Sequence, residues 1–404
     1  MQDTEYQSAR LRRDMKAAGA RLIAWSRRTF FDGGRKIASL RPTQSDAIAI
    51  ARVICIVSMV YAHAWTGRTT SALVATAETP QGMFRWVVVE LLGRSSVPLL
   101  GMISGWLVAS SAMRRGYWNF VGGKARTILA PMLLWNALAV LIVSGSVAAG
   151  IIRGPSARSV EWVINEILGY ATFNNINVQM TFLRDLFVCM VLAPFFNRLN
   201  SNWLVALMAL LLAWSIGGWI IPLVLRPSVA LFFLLGVYAR RHHLAERVAD
   251  MPFAYAALPF AILAPLKVAL AIWGFQFTRE NMEIAAAADI AMRLSAAMLV
   301  WRTAIALADT PALALLKRFE PYAFLLFCSH MIMIWMGGQT LGAFSGPLGA
   351  PGYPLFFILQ PFLALAATIL LGRFLMLISP RVASWLSGGR LRAEPRLRPV
   401  LMAA

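Results

Sequence analysis

Apolar stretches long enough to cross a lipid bilayer recur along most of this sequence. The hydrocarbon core of a bilayer is about 30 Å thick, so a spanning helix needs about 20 apolar residues. Inside lipid every backbone polar group must be satisfied within the chain, which favours helices for runs of this length. We therefore expect an all-α membrane protein with ten transmembrane helices, near residues 47–66, 84–112, 127–150, 181–199, 203–224, 227–241, 252–275, 284–308, 319–342 and 354–378.

The composition agrees with lipid as the solvent. Of the 404 residues, 59% are hydrophobic and 14% are charged, whereas a soluble domain carries about 25% charged residues. The net charge of +20 is spread over short clusters between apolar runs, so we expect a lipid bilayer as partner and no nucleic acid. The cysteines Cys55, Cys189 and Cys328 each lie alone in an apolar run, which predicts packing residues without a disulfide framework.

The distribution of Lys and Arg predicts the topology. Cytoplasmic loops of membrane proteins carry an excess of these residues. With both termini in the cytoplasm, 25 basic residues fall in cytoplasmic segments and five in outer loops, namely Arg68, Arg153, Arg158, Arg226 and Arg279. We therefore place both termini in the cytoplasm.

The sequence divides into three regions. Residues 1–45 form a basic cytoplasmic tail that is either an amphipathic helix on the membrane surface or a disordered segment. Residues 46–380 form the membrane domain, and residues 381–404 form a second basic cytoplasmic tail. The stretch 156–176 is too polar to span the bilayer, and we expect an outer-face or re-entrant helix there.

Charged groups inside membrane spans are costly and usually functional. Arg52 and His63 lie eleven residues apart in the first span, which places them on one helix face, roughly 16 Å apart along its axis. An arginine at the cytoplasmic end can bind phosphate, and a histidine deeper in the membrane can act as a general base. The structural alternative is a snorkelling Arg52 with a His63 that hydrogen-bonds a neighbouring helix.

Other charged residues in the spans are open to structural explanations. The pairs Glu90–Arg94 and Asp289–Arg293 have i,i+4 spacing, so each pair can neutralise itself on one helix. Lys267 is expected either to neutralise an acidic lipid headgroup or to snorkel. The sequence contains no HExxH, no Cys/His cluster and no G-x-S-x-G, so no metal site and no serine triad are predicted.

Six motifs in sequence order resemble the membrane-bound acyltransferase 3 family. The first is Arg-x10-His in the first span, at Arg52 and His63. The family's second span, with its Val-Pro and Ser-Gly pairs, resembles Gly93–Pro98 with Ile103–Trp106, and the basic start of its third span resembles Lys124–Pro131. Its "WFLRDL" segment resembles Thr181–Leu186, its "FFLLG" segment resembles Phe232–Gly236, and its late "YLLH" resembles Leu326–His330. Leu99, Leu100 and Trp106 depart from the family pattern, and the Arg-x2-Arg pair before the third span is replaced by Lys124 and Arg126.

The resemblance implies an O-acyltransferase in a bacterial inner membrane, with a chain similar to the branch that acylates exopolysaccharides and other glycans. It implies acyl-CoA as the donor of an acetyl or succinyl group, and a sugar hydroxyl of a glycan or lipid-linked oligosaccharide as the acceptor. By resemblance, His63 and Arg52 are the catalytic pair, and Arg126 and Lys124 bind the coenzyme A phosphates. Further candidates line the substrate pocket: Arg184, His330, Arg94 and Ser104.

Three alternatives stay open from the sequence. Each of the pocket candidates can instead make an interhelical hydrogen bond. The chain can be a transporter or flippase, since broken spans and buried charges suit that class equally. It can also be a non-catalytic subunit of a polysaccharide export system.

For a succinyl donor, Arg184 and Arg302 are the cations expected to be available for the additional carboxylate.

Overall fold

The computed structural model describes residues 42–76, 78–111, 116–218, 226–272 and 282–391, and within these ranges it is built of helices without β-strands. The predicted tails therefore lie outside the described residues, except for residues 42–45 and 381–391. The three cysteines, which lie within these ranges, are free and buried, as their positions in apolar runs predicted.

The helices follow the apolar runs closely. We label them α1 (Pro42–Val60), α2 (Thr70–Ala75), α3 (Pro80–Val88), α4 (Val97–Ser111), α5 (Tyr117–Lys124), α6 (Ala130–Ala139), α7 (Gly145–Ala148), α8 (Val160–Leu168), α9 (Met180–Phe196), α10 (Ser201–Gly217), α11 (Pro227–Arg241), α12 (Leu244–Asp250), α13 (Phe253–Ile272), α14 (Met282–Ala308), α15 (Ala312–Ser345), α16 (Tyr353–Ile378) and α17 (Pro380–Leu386). A 3₁₀ turn (Tyr61–His63) continues α1, and π-helical turns occupy Val89–Arg94, Ala125–Leu129 and Val140–Ser144.

Seven stretches of the described chain are helical, long and apolar enough to cross a membrane: Thr43–His63, Pro80–Ala109, Tyr117–Ala148, Phe253–Leu270, Met282–Ala308, Ala312–Ser345 and Tyr353–Ile378. The protein is thus an all-α membrane protein. The other three predicted spans are also helices, but α9 and α10 have 17 residues and α11 has 15. At 1.5 Å per residue, α11 is about 22 Å long, shorter than the hydrocarbon core. The count of ten spans stays a prediction.

Three helical segments differ in extent from the sequence prediction. The third span begins at Tyr117 rather than near residue 127, so Lys124 and Arg126 lie on a helix rather than in a loop. The polar stretch 156–176 contains only the nine-residue α8, which packs against α6. Residues 380–391 pack on the domain, where Ala383 and Leu391 are buried and the Trp135 Nε1–H donates to the Leu386 carbonyl at 2.9 Å.

Two glycines allow α4 and α11 to cross with their backbones in contact. A Cβ added at Gly105 would lie 1.9 Å from the Phe233 carbonyl oxygen, and one at Gly236 would lie 2.0 Å from the Met102 carbonyl oxygen. Without a hydrophobic driving force in lipid, helices associate through close packing of this kind. Helix α11 is mostly buried, and it also contacts α9 and α10. Helix α1 contacts α4, α14, α15 and α16, which places Arg52 and His63 at the centre of the bundle.

The contact between α4 and α11 predicts that Gly105→Ala and Gly236→Ala destabilise the fold. The added methyl groups overlap backbone oxygens that cannot rotate away, so we expect a loss of about 1–3 kcal/mol or more. Thermal unfolding in detergent measures it as a lower Tm. The control is Gly122→Ala on α5, where a Cβ meets no atom within 4 Å. If Gly105→Ala unfolds at the wild-type temperature, the proposed close packing is wrong.

Candidate active site

Arg52 forms an ion pair that joins the first span to α15. Its Nη1 lies 3.3 Å from the Glu320 Oε1, and the two side chains are 37% and 30% exposed. An ion pair this accessible contributes at most about 1 kcal/mol. A phosphate that binds the guanidinium bidentately can therefore compete with Glu320 for Arg52.

Arg52 and Glu320 stand on the wall shared by two adjoining cavities, which we call the Arg52 chamber. The larger cavity has a volume of about 470 Å³ and is also lined by Asp46 and Lys317. The smaller cavity, of about 150 Å³, is lined by Arg52, Glu320, Ser104, Lys124, Thr127 and Arg390, with apolar side chains that include Ile56, Leu100, Phe182, Phe324 and Phe327. The chamber thus has a charged side and an apolar side.

Positive charge dominates the smaller cavity. Arg52, Lys124 and Arg390 line it with one carboxylate, that of Glu320, and the charges of Arg52 and Arg390 both act on Lys124. Burial and, secondarily, the charge of Arg52 lower the pKa of Arg390 to about 10. Arg390 is therefore still protonated at neutral pH. Its guanidinium lies 3.7 Å from the Phe324 ring centroid, a cation–π contact that holds it in the wall.

The residues predicted to bind coenzyme A phosphates separate in the structure. Lys124 lines the Arg52 chamber. Arg126 lies on an exposed face of the same span, with its guanidinium 5.2 Å from the Trp385 ring centroid, and it does not line the chamber. Ser104 lines the chamber, and its hydroxyl donates to the Leu100 carbonyl at 2.8 Å. The roles predicted for these three residues stay predictions.

His63 ends the 3₁₀ turn after α1 and faces His330 of α15. The ring centroids are 5.4 Å apart, and His63 is half-buried. The Nδ1 of His330 lies 3.0 Å from the carbonyl oxygens of Leu326 and Phe327. Because carbonyls only accept, Nδ1 carries the proton and Nε2 carries the lone pair. That Nε2 is buried and has no partner among the described residues.

The segment that follows His63 is anchored by α15 and α16. The Trp65 N–H donates to the Gln360 Oε1 at 2.6 Å, and the Gln360 Nε2 donates back to the Trp65 carbonyl at 3.0 Å. The Trp65 indole fills a slot over Gly338 and Gly342, where added Cβ atoms would lie 2.7 and 2.2 Å from it. Both contacts act two residues from His63, so they fix where its ring can lie.

A chain of ion pairs crosses the bundle beside this segment. Glu90 forms ion pairs with Arg94 and Lys267, each at 2.7 Å, and Asp289 forms ion pairs with Lys267 and Arg293, each at 2.6 Å. The two i,i+4 pairs predicted from the sequence are therefore present. The expectation for Lys267 was wrong, because its ammonium neither snorkels nor meets a lipid. It bridges two carboxylates on different helices, which compensates the buried ammonium in a low-dielectric setting.

Arg184 and Arg302 are both committed to protein groups. The Arg184 Nε donates to the Asp185 Oδ1 at 3.0 Å, and Arg184 also donates to the Gly169 carbonyl. The Arg302 Nε donates to the Met251 carbonyl at 2.8 Å. Neither residue lines the Arg52 chamber. The sequence expectation that these two cations are available for a substrate carboxylate has no support in this geometry.

Several residues of the site were absent from the sequence-based candidates. The residues in question reach the first span or the Arg52 chamber from positions far away in the chain: Glu320, Gln360 and Arg390. Glu320 and Arg390 lie at the ends of apolar runs, where charges are common and carry little information. Gln360 is a polar residue inside a strongly apolar run, and that signal alone could have marked it as a functional or anchoring residue.

The comparisons with known proteins agree with the resemblance seen in the sequence. The model of a family described as an acyltransferase domain matches residues 45–375. The succinoglycan biosynthesis protein ExoH of Rhizobium meliloti (strain 1021) is 27% identical over 369 residues, which cover 87% of this chain and 94% of that protein. No solved structure matches the chain significantly.

The ion chain predicts a large stability effect for Lys267→Met. Each acid keeps its arginine, but the Glu90 Oε2 and the Asp289 Oδ1 lose their donor inside the bundle, and an unsatisfied buried polar atom costs about 1–3 kcal/mol. Thermal unfolding in detergent measures the loss. The matched control is Lys317→Met, which removes the 48%-exposed partner of Asp46 and should cost less than about 1 kcal/mol. Equal losses in the two variants would show that Lys267 is not a structural bridge.

Proposed function

This chain belongs to the acyltransferase family whose domain model matches it, and we propose that it is an O-acyltransferase that moves an acetyl or succinyl group from acyl-CoA to a sugar hydroxyl of an exopolysaccharide or other cell-surface glycan. The observation that carries the proposal is the arrangement on α1. The cationic Arg52 chamber lies at one end of the span and the His63–His330 pair at the other, roughly 16 Å apart.

The Arg52 chamber supports the donor half of the proposal. Coenzyme A carries its phosphates at one end and its reactive thioester at the other. Arg52, Lys124 and Arg390 provide cations for phosphate oxygens, and charge-assisted hydrogen bonds from guanidinium groups are the strong type. The apolar wall of Phe182, Phe324 and Phe327 suits the uncharged arm that leads to the thioester.

The histidine pair supports the acceptor half. In the proposed step, a sugar hydroxyl donates to an unprotonated imidazole nitrogen of His63, which removes the proton as the oxygen attacks the thioester carbonyl. The carbon–sulfur bond breaks, and the leaving thiolate takes the proton from His63. His330 can hold the hydroxyl beforehand, because its Nε2 only accepts and its ring centroid lies 5.4 Å from that of His63. A transient acyl group on His63 itself is the covalent variant of this route.

The glycan acceptor is proposed from the relative and from the topology. The relative's name assigns it to succinoglycan biosynthesis, which supports an exopolysaccharide or its lipid-linked precursor as acceptor. The positive-inside pattern places Arg52 on the cytoplasmic side, where acyl-CoA occurs, and His63 toward the outer side. We propose the bacterial inner membrane as location. The family match favours transfer chemistry over the transporter and export-subunit alternatives.

The proposed chemistry predicts that His63→Ala abolishes acyl transfer. Loss of a general base costs about 10²–10⁴-fold in rate. Purified protein in detergent is incubated with radiolabelled acetyl-CoA or succinyl-CoA and glycan fractions, and label in the glycan is counted. His330→Gln, which keeps a hydrogen-bond acceptor, should retain more activity than His330→Leu. Undiminished transfer by His63→Ala would exclude the mechanism. Wild-type protein that carries glycan into proteoliposomes without any label transfer would favour the transporter alternative.

The Arg52 chamber predicts that Arg390→Gln weakens donor binding. Loss of one charge-assisted hydrogen bond to a phosphate costs about 1.5–3 kcal/mol, so KM for acyl-CoA should rise about ten- to a hundredfold. The rate at saturating acyl-CoA should change much less, because Arg390 is distant from the histidine pair. Arg247→Gln is the control, since Arg247 is exposed on α12 and outside both cavities. An unchanged KM in Arg390→Gln would place the phosphates elsewhere.

A further inference from the structure

The cluster of charges beside His63 has more cations than carboxylates. In the chain Arg94–Glu90–Lys267–Asp289–Arg293, three cations share two carboxylates. Each of the four carboxylate oxygens is already paired with one cation. These five ion-paired residues therefore carry one net positive charge. The row ends in an arginine on each side, and Arg94 is 56% exposed.

Arg226 adds a second positive charge, because within the described chain it and Arg184 share the single carboxylate of Asp185. The nearest acid in the described chain, Asp185, is occupied on both oxygens, because Oδ1 accepts from Arg184 and Oδ2 accepts from the Arg226 backbone N–H at 2.9 Å. The Arg226 guanidinium forms no ion pair with any described residue and lies 5.1 Å from the Phe173 ring centroid. Burial lowers the pKa of Arg226, the charge of Asp185 opposes this, and the charges of Arg293, Arg184 and Arg94 lower the pKa further.

These two arginines lie at the reactive histidine. The turn that carries Arg94 packs on the turn that carries His63, so closely that a Cβ added at Gly93 would lie 2.8 Å from the Ala62 nitrogen. The charges of Arg226 and Arg94 both act on the His63 ring. An excess of partly buried positive charge is unfavourable unless water or an anion compensates it. An oxyanion beside His63 therefore lies in the field of both guanidinium groups.

We propose that Arg94 and Arg226 form a subsite for an oxyanion, a carboxylate or a phosphate, on the substrate that reacts at His63. The inference rests on the proposed function and deepens it, because it names a chemical class for one of the two substrates. The oxyanion has two sources. It is the free carboxylate of a dicarboxylic acyl group, or it is a carboxylate or phosphate next to the acceptor hydroxyl. Guanidinium groups bind either oxyanion bidentately.

The test compares charged and neutral substrates in Arg226→Gln and Arg94→Gln. The purified full chain is assayed in an uncharged maltoside detergent, which removes lipid phosphates, with succinyl-CoA against acetyl-CoA and with acidic against neutral glycans. We expect KM for the charged member of one pair to rise tenfold or more, while KM for its neutral counterpart stays the same. If KM rises for succinyl-CoA but not for acetyl-CoA, the subsite binds the acyl group. If KM rises for acidic but not for neutral glycans, the subsite binds the acceptor.

The matched control is Arg158→Gln, which removes an exposed arginine from an outer loop. Arg226→Lys should regain part of the affinity, since it keeps the charge. The subsite is excluded if both glutamine variants change charged and neutral substrates equally, or if Arg158→Gln has the same effect.

A binding measurement separates this inference from the proposed function. If the wild type transfers no acyl group, the proposed function fails, and the subsite is tested by the rise in Tm on addition of succinate or inorganic pyrophosphate. Stabilisation that is lost in Arg226→Gln and kept in Arg158→Gln supports the subsite. Stabilisation that is equal in all three proteins, or absent from the wild type, overturns it.

Discussion

Charges inside a membrane bundle persist only where the protein compensates them, and Lys267 shows how this chain does so. Its ammonium lies between Glu90 and Asp289, which in turn hold Arg94 and Arg293. This row of ion pairs joins α13 and α14 to the turn that packs against His63. Because removing one member leaves a carboxylate oxygen without its partner in low dielectric, these helices are held in one arrangement, and the turn of Arg94 is held against the turn that carries His63.

The first span acts as the scaffold of the site, and partners from α15 and α16 fix both of its ends. At one end Arg52 pairs with Glu320 on the wall of the Arg52 chamber. At the other end, the Gln360 amide accepts from the Trp65 N–H and donates to the Trp65 carbonyl. The Trp65 indole lies in the slot over Gly338 and Gly342. The catalytic role that we propose for His63 needs such support, since catalytic geometry must hold to a fraction of an ångström.

The sequence motifs divide into those that build the fold and those that line the site. Gly105 and Gly236 belong to two different motifs, and each lets the backbones of α4 and α11 touch. Arg184, in a third motif, anchors the loop after α8 through Gly169 and Asp185. The motifs of Arg52, His63 and His330 meet at the cavities and at the histidine pair. A motif match therefore identifies the family, but it does not say which of its residues do chemistry.

The sequence by itself determined the membrane class, the positions of the helices, the shared face of Arg52 and His63, and the two i,i+4 ion pairs. Each of these depends on neighbours in the chain, through helical periodicity and apolar length. Only the tertiary structure decided that Lys267 bridges two acids, that Arg390 joins Arg52 and Lys124, and that the Arg226 guanidinium forms no ion pair within the described chain. These contacts join residues up to hundreds of positions apart, and the packing of helices, which no local pattern encodes, decides which charges meet.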